Sequence, residues 1–114
     1  MSKLYYTTEE KAKNHETTMP LLEAMYTEFK ELSKKKPDAT VSKSKIKMTN
    51  RLLEKVRTVL EDEASLEFLD LIDEDDMPQV SDVTLMLSQY VVSMKEFRSS
   101  HFGYYNGELQ WVIK

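Results

Sequence analysis

From Val80 to Phe97 the chain reads VSDVTLMLSQYVVSMKEF, and no other stretch joins so many apolar residues to so regular a helical period. At about 100° per residue, Val83, Met86, Leu87, Tyr90, Met94 and Phe97 share one sector, with Val91 at its edge. Leu85 and Val92 project from the opposite side. A broad stripe with a second, narrower apolar strip belongs to a helix covered on both sides. The pattern therefore predicts the central helix of a small bundle, over 78–98.

Two more long helices follow from the same period. Leu22, Met25, Phe29 and Leu32 recur at three or four, flanked by Leu21 and Tyr26. Pro20 is tolerated in a first turn, so this helix is expected over 19–36, its Lys34-Lys35-Lys36 favoured by the dipole at the C-terminal end. Pro37 to Ser44 reads as a loop. A second helix is expected over 43–62, starting at Ser42 or Ser44, with Met48, Leu52, Val56 and Val59 as its stripe and Leu53 and Leu60 beside it. Leu66, Leu69 and Ile72, with Phe68 and Leu71 adjacent, suggest a short helix over 65–72. Asp73 to Asp76 oppose its dipole and suit the start of the next helix, with Asp75 or Asp76 as the cap and Pro78 in the first turn.

The two ends read differently. Thr7 and Glu10 have capping-box spacing, but residues 9–18 hold almost nothing apolar beyond Ala12, which leaves an exposed turn or two of helix or a mobile segment. Leu4-Tyr5-Tyr6 is a strand or a plug against the core. At the other end, Asn106-Gly107 lies between Phe102, Tyr104 and Tyr105 on one side and Leu109, Trp111, Val112 and Ile113 on the other. That is a strong hairpin signal, because both central residues of a type I′ turn need positive φ. A hairpin is expected over 101–113, packed on the helices because alone it would be marginal. The fold class is mostly α: a small helical bundle of three long helices and one short, with a C-terminal β-hairpin, in one domain over 1–114.

Composition and charge refine this picture. With 114 residues the chain can bury a core without staples, and two glycines and three prolines are too few for a turn-rich sandwich or barrel. No apolar run approaches the ~20 residues that span a bilayer, and the start lacks the apolar region of a signal peptide. Zero cysteines exclude disulfides and thiolate chemistry and point to a cytoplasmic protein. The net charge of −4 conceals an asymmetry: residues 1–57 carry 13 Lys/Arg against 8 Asp/Glu, whereas residues 58–114 carry 3 against 12. Six lysines fall between Lys34 and Lys47, and nine acids with no base between Glu61 and Asp76. Either these segments lie against each other in the fold or they face water, where uneven charge steers partners.

Little catalytic chemistry is legible. His15 and His101 stand alone without metal-ligand spacing, and the acidic run lacks the alternating ligands and sixth-position glycine of a calcium loop. No strained nucleophile turn or phosphate-cradling glycine loop exists. Glu28-Phe29-Lys30-Glu31 and Glu67-Phe68-Leu69-Asp70 place two carboxylates on a shared face each. Two such pairs on facing helices would hold Mg²⁺ against a nucleotide's phosphates. In these two tetrapeptides the chain resembles the all-α nucleotide pyrophosphohydrolases of the MazG type, which implies an alternative Mg²⁺-dependent hydrolase function. Our leading reading is not an enzyme and needs no cofactor or metal.

Binding has more support. Lys43, Lys47, Arg51 and Lys55 follow i, i+4 steps and make one cationic stripe, enough for weak phosphate-directed contact with nucleic acid. No aromatic residues interleave to stack bases, and nine acids elsewhere suit a basic partner. Met-rich and aromatic surfaces suit protein contact. The candidate interface is Leu85, Val92, Tyr104, Tyr105 and Trp111, open to two alternatives: a homodimer, or a hairpin folded over Leu85 and Val92 within one chain. The expected function is a small cytoplasmic protein-interaction or regulatory protein, partnered by itself and by another protein, with no membrane partner.

Overall fold

The computed structural model describes residues 3–114. Three helices, α1 (Glu9–Lys35), α2 (Lys43–Val59) and α3 (Val80–His101), precede a two-stranded antiparallel hairpin of β1 (Phe102–Tyr105) and β2 (Glu108–Trp111). Helix α1 packs against both other helices. Its 27 residues, at a rise of about 1.5 Å each, account for most of the 49 Å long axis. One core joins Leu22 and Phe29 of α1, Ile46, Leu53 and Val56 of α2, and Val83, Leu87, Tyr90, Met94 and Phe97 of α3.

Helix α1 begins ten residues earlier than its hydropathy suggests. Ala12, His15, Thr18 and Leu22 are all buried at helical spacing, so the inward stripe runs on through residues that carry no strong apolar signal. His15 is held by a 2.8 Å hydrogen bond from Nε2 to the Met94 carbonyl. The Thr17 and Thr18 hydroxyls bond back to the Lys13 and Asn14 carbonyls. Pro20 thus lies inside the helix and not at its start, removing a single backbone bond. The cap is Thr8, whose hydroxyl accepts from the Lys11 amide. Thr7 instead pairs with the chain's end, its amide donating to Val112.

Helix α2 is capped by Ser42 as expected and ends three residues early, at Val59. Its buried face is Ile46, Thr49, Leu53, Val56 and Val59; Met48, expected within the stripe, is 66% exposed. The loop that leads into α2 is fixed to the start of α3, with Val41 N–H donating to Pro78 and Val80 N–H to Ala39.

Residues 60–79 depart most from expectation. In place of a helix over 65–72 there are two short 3₁₀ turns, Ala64–Phe68 and Glu74–Asp76, joined by extended chain. We call this segment the strap. Leu69 and Ile72 are buried, and side chains of the helices replace the missing helical hydrogen bonds. The Asn50 amide group donates to the Ile72 carbonyl and accepts from its N–H, both at 2.8 Å. The Arg57 guanidinium donates to Leu69 O, and the Tyr90 hydroxyl to Asp70 O at 2.8 Å. Asp73 caps the second 3₁₀ turn. The cap of α3 is neither Asp75 nor Asp76, because Gln79 and Asp82 form the capping box, and Pro78 lies before the helix.

The inward stripe of α3 is buried as predicted, with Met86 half-buried at its edge. Its narrow strip is not covered: Leu85 is 63% and Val92 58% exposed, so the hairpin does not lie over them. The hairpin forms with Asn106 at φ 52° and Gly107 at φ 82°. Phe102 and Trp111 pair across the strands with their rings edge to face, and the Trp111 ring lies against Phe97. On the other face Gly103 makes room for Leu4, whose Cδ1 would lie 3.0 Å from an added Cβ. Leu4-Tyr5-Tyr6 is therefore a plug over the hairpin, tied by Tyr5 N–H to Ser100 O, and joins no strand.

Candidate functional site

Between α1 and α2 runs an open apolar groove. On α1, Leu21, Met25, Phe29 and Leu32 succeed one another along one side; on α2, Met48, Thr49 and Leu52 face them. Two clefts of about 380 and 520 Å³ meet at Met25, Glu28 and Met48. The helices pack tightly lower down, through Leu22, Phe29, Ile46 and Leu53, and splay residues of intermediate exposure upward. Leu21, 55% exposed, and Met48 have no apolar cover. Unbranched methionine adapts to varied surfaces, which makes this floor suited to contact.

The rims are charged and unlike. Glu28, Glu31 and Lys35 border α1, while Lys45, Arg51 and Lys55 border α2. Lys43, Lys47, Arg51 and Lys55 are all exposed along the outer face of α2. Among the described residues the ion pairs are Lys11 with Glu61 and Asp62, and Lys34 with Glu31. The hydrogen bond to Asp62 leads the causes that hold Lys11 above the usual lysine range. No acid of the strap pairs with the α2 stripe. Beyond Glu61 and Asp62 the acids of the strap form no ion pair among the described residues, although its second 3₁₀ turn packs against α2.

The remaining candidates fall in three places. Leu85 and Val92 lie seven residues apart on the outer face of α3. Tyr104 is 77% exposed and paired with Leu109, itself 60% exposed; this pair continues the Phe102–Trp111 face beyond its helix cover. Tyr105 is half-buried, its hydroxyl 3.1 Å from that of Tyr6. Trp111 is engaged within the chain: its ring lies 5.2 Å from His15 and 6.0 Å from Phe97, and its Nε1 donates to Glu16. The candidate interface residues thus do not form one continuous surface.

Nor do the two carboxylate pairs meet. Glu28 and Glu31 border the groove, whereas Glu67 lies on a 3₁₀ turn and Asp70 in extended chain anchored beside Arg57 and Tyr90. No group of three or more His, Asp or Glu among the described residues is placed to hold a metal ion. Both histidines are used internally, since the His101 Nδ1 donates to the Tyr5 carbonyl. Burial pushes the His15 imidazole below its usual range, outweighing the Met94 carbonyl and Glu16, which raise it.

The hydropathy of α2 hides the groove, because the period through Met48 and Leu52 points both inward whereas Met48 is exposed and Leu52 half-buried. The signal that finds it is the competing heptad Ile46, Leu53 and Leu60, all buried, which rotates the inward face and frees Met48. Among the described residues no helix is long and apolar enough to cross a membrane. Comparison with protein-family models, with curated proteins and with solved structures finds no match.

Proposed function

We propose that the chain is a protein-interaction domain, and that its recognition surface is the groove between α1 and α2. The observation that carries this reading is a basic rim of Lys45, Arg51 and Lys55, in no ion pair among the described residues, beside an open, methionine-lined apolar channel. A groove of this kind takes an amphipathic segment through anchors at helical spacing. Lys45, Arg51 and Lys55 on one rim favour a segment with acidic residues along that edge. Electrostatic complementarity gives such contacts specificity and speed more than raw affinity. The lack of cysteine fits a cytoplasmic setting.

The test is a fluorescence anisotropy titration with a labelled peptide bearing leucines at i, i+4 and i+7 and glutamates between them. Saturable binding that Met48→Asp weakens about tenfold or more, and that salt weakens further, is the expected result. A basic peptide of equal hydropathy binding as well would contradict it. A DNA duplex bound more tightly than the peptide, with loss in Arg51→Glu, would move the stripe to phosphate recognition.

A further inference from the structure

We infer that the groove's occupant is the acidic strap of a second copy of this chain. The inference rests on the groove reading above and names its partner. The strap carries the complement of the groove in both respects. Phe68 is 72% exposed, Met77 68% and Leu71 38%, and Glu67, Asp70, Asp75 and Asp76 are exposed among them. An acidic, apolar strip and a basic-rimmed, apolar groove thus occur in one molecule, and among the described residues no ion pair joins the two within the chain.

The strap cannot reach its own groove. Asn50 and Arg57, which hold the strap, project from α2 on the side opposite Met48 and Leu52 at about 100° per residue. Association must therefore occur between copies. The strap is also preorganised: Asn50, Arg57 and Tyr90 bind its backbone, which lowers the ordering cost of docking its side chains. Unlike patches meet, so contacts are reciprocated about a two-fold axis or add copies head to tail. Either way the mass rises with concentration.

The test is light scattering across a concentration series, in low salt and in about 1 M salt, where charges are screened beyond roughly 3 Å. The wild-type mass should rise above the 13.4 kDa monomer at low salt and fall back towards it at high salt. A groove-reversed variant, Lys45→Glu with Arg51→Glu and Lys55→Glu, should be monomeric. So should a strap-reversed variant, Glu67→Lys with Asp70→Lys and Asp76→Lys. All six positions are exposed, and circular dichroism confirms the fold of each. An equimolar mixture of the two should regain the wild-type mass, because each reversed patch then meets its complement. Association that persists unchanged in the groove-reversed variant overturns the inference and places the contact elsewhere. A wild-type monomer at every concentration overturns it too. If that monomer still binds the acidic peptide, only self-association falls; if it binds no peptide, the groove reading falls with it.

Discussion

Helix α3 and the strap pack against the same core by opposite means. Helix α3 satisfies its backbone internally, so its place depends on one apolar face: Val83, Leu87, Tyr90, Met94 and Phe97 are each 1% exposed or less. The strap has few hydrogen bonds of its own. It buries two anchors, Leu69 and Ile72, and borrows partners from Asn50, Arg57 and Tyr90. A helix built the first way resists substitution at polar positions and fails by cavity formation. A strap built the second way fails by loss of single polar side chains. It also leaves its outer side free to carry charge and exposed apolar groups, which the buried stripe of α3 cannot do.

Leu87→Ala should have the largest effect, since Leu87 is fully buried in that stripe. A loss of roughly 2–5 kcal/mol is expected, read as a lower denaturant midpoint with no change in slope. Asn50→Ala leaves the Ile72 N–H and carbonyl without their partner and should cost about 1–3 kcal/mol. Hydrogen exchange should localise that loss to the strap, with Ile72 unprotected while α3 amides keep their protection. Uniform loss across both regions would mean that strap and helices unfold as one unit, and the contrast would disappear. Tyr90→Phe removes the hydroxyl that donates to Asp70 O and should cost about 1 kcal/mol.

His15 supplies a pH dependence from the α1–α3 contact. Its folded pKa is lowered by burial from 6.5, so the unfolded chain takes up the proton first as pH falls. Its contribution is therefore complete above 6.5 and is lost below that value, on the way to the depressed folded pKa. Denaturation midpoints should drop over that window in wild type and flatten in His15→Leu; an unchanged slope would show that His15 does not titrate on unfolding. The smallest effect is expected for Leu85→Asp with Val92→Asp. Both are exposed, so stability should change by only about 0.5 kcal/mol per site. Global unfolding would show that this strip is covered.

The elements legible in the sequence are those whose burial and period agree. The α3 stripe and the Asn106-Gly107 turn are local patterns with one physical solution. The first ten residues of α1 were hidden because His15 and Thr18 do the burying, a role that depends on Met94 and Trp111 far along the chain. The strap is ambiguous in sequence because Leu66, Leu69 and Ile72 at spacing three fit a short helix as well as a 3₁₀ turn running into extended chain. What decides between them is Asn50, twenty-two residues away. Of the groove's basic rim, Arg51 and Lys55 were readable in the Lys43, Lys47, Arg51 and Lys55 stripe, whereas Lys45 lies outside it. The groove's apolar floor was not readable, because two overlapping periods in α2 compete and only packing against α1 selects the heptad through Ile46 and Leu53.

The most direct measurement of the central claim is a methionine-methyl NMR titration of the full chain with the acidic amphipathic peptide. Met25 and Met48 in the groove should shift first and most, while buried Met94 stays in place. Shifts absent from Met25 and Met48, or no shifts at any methionine despite binding, would contradict a recognition surface between α1 and α2.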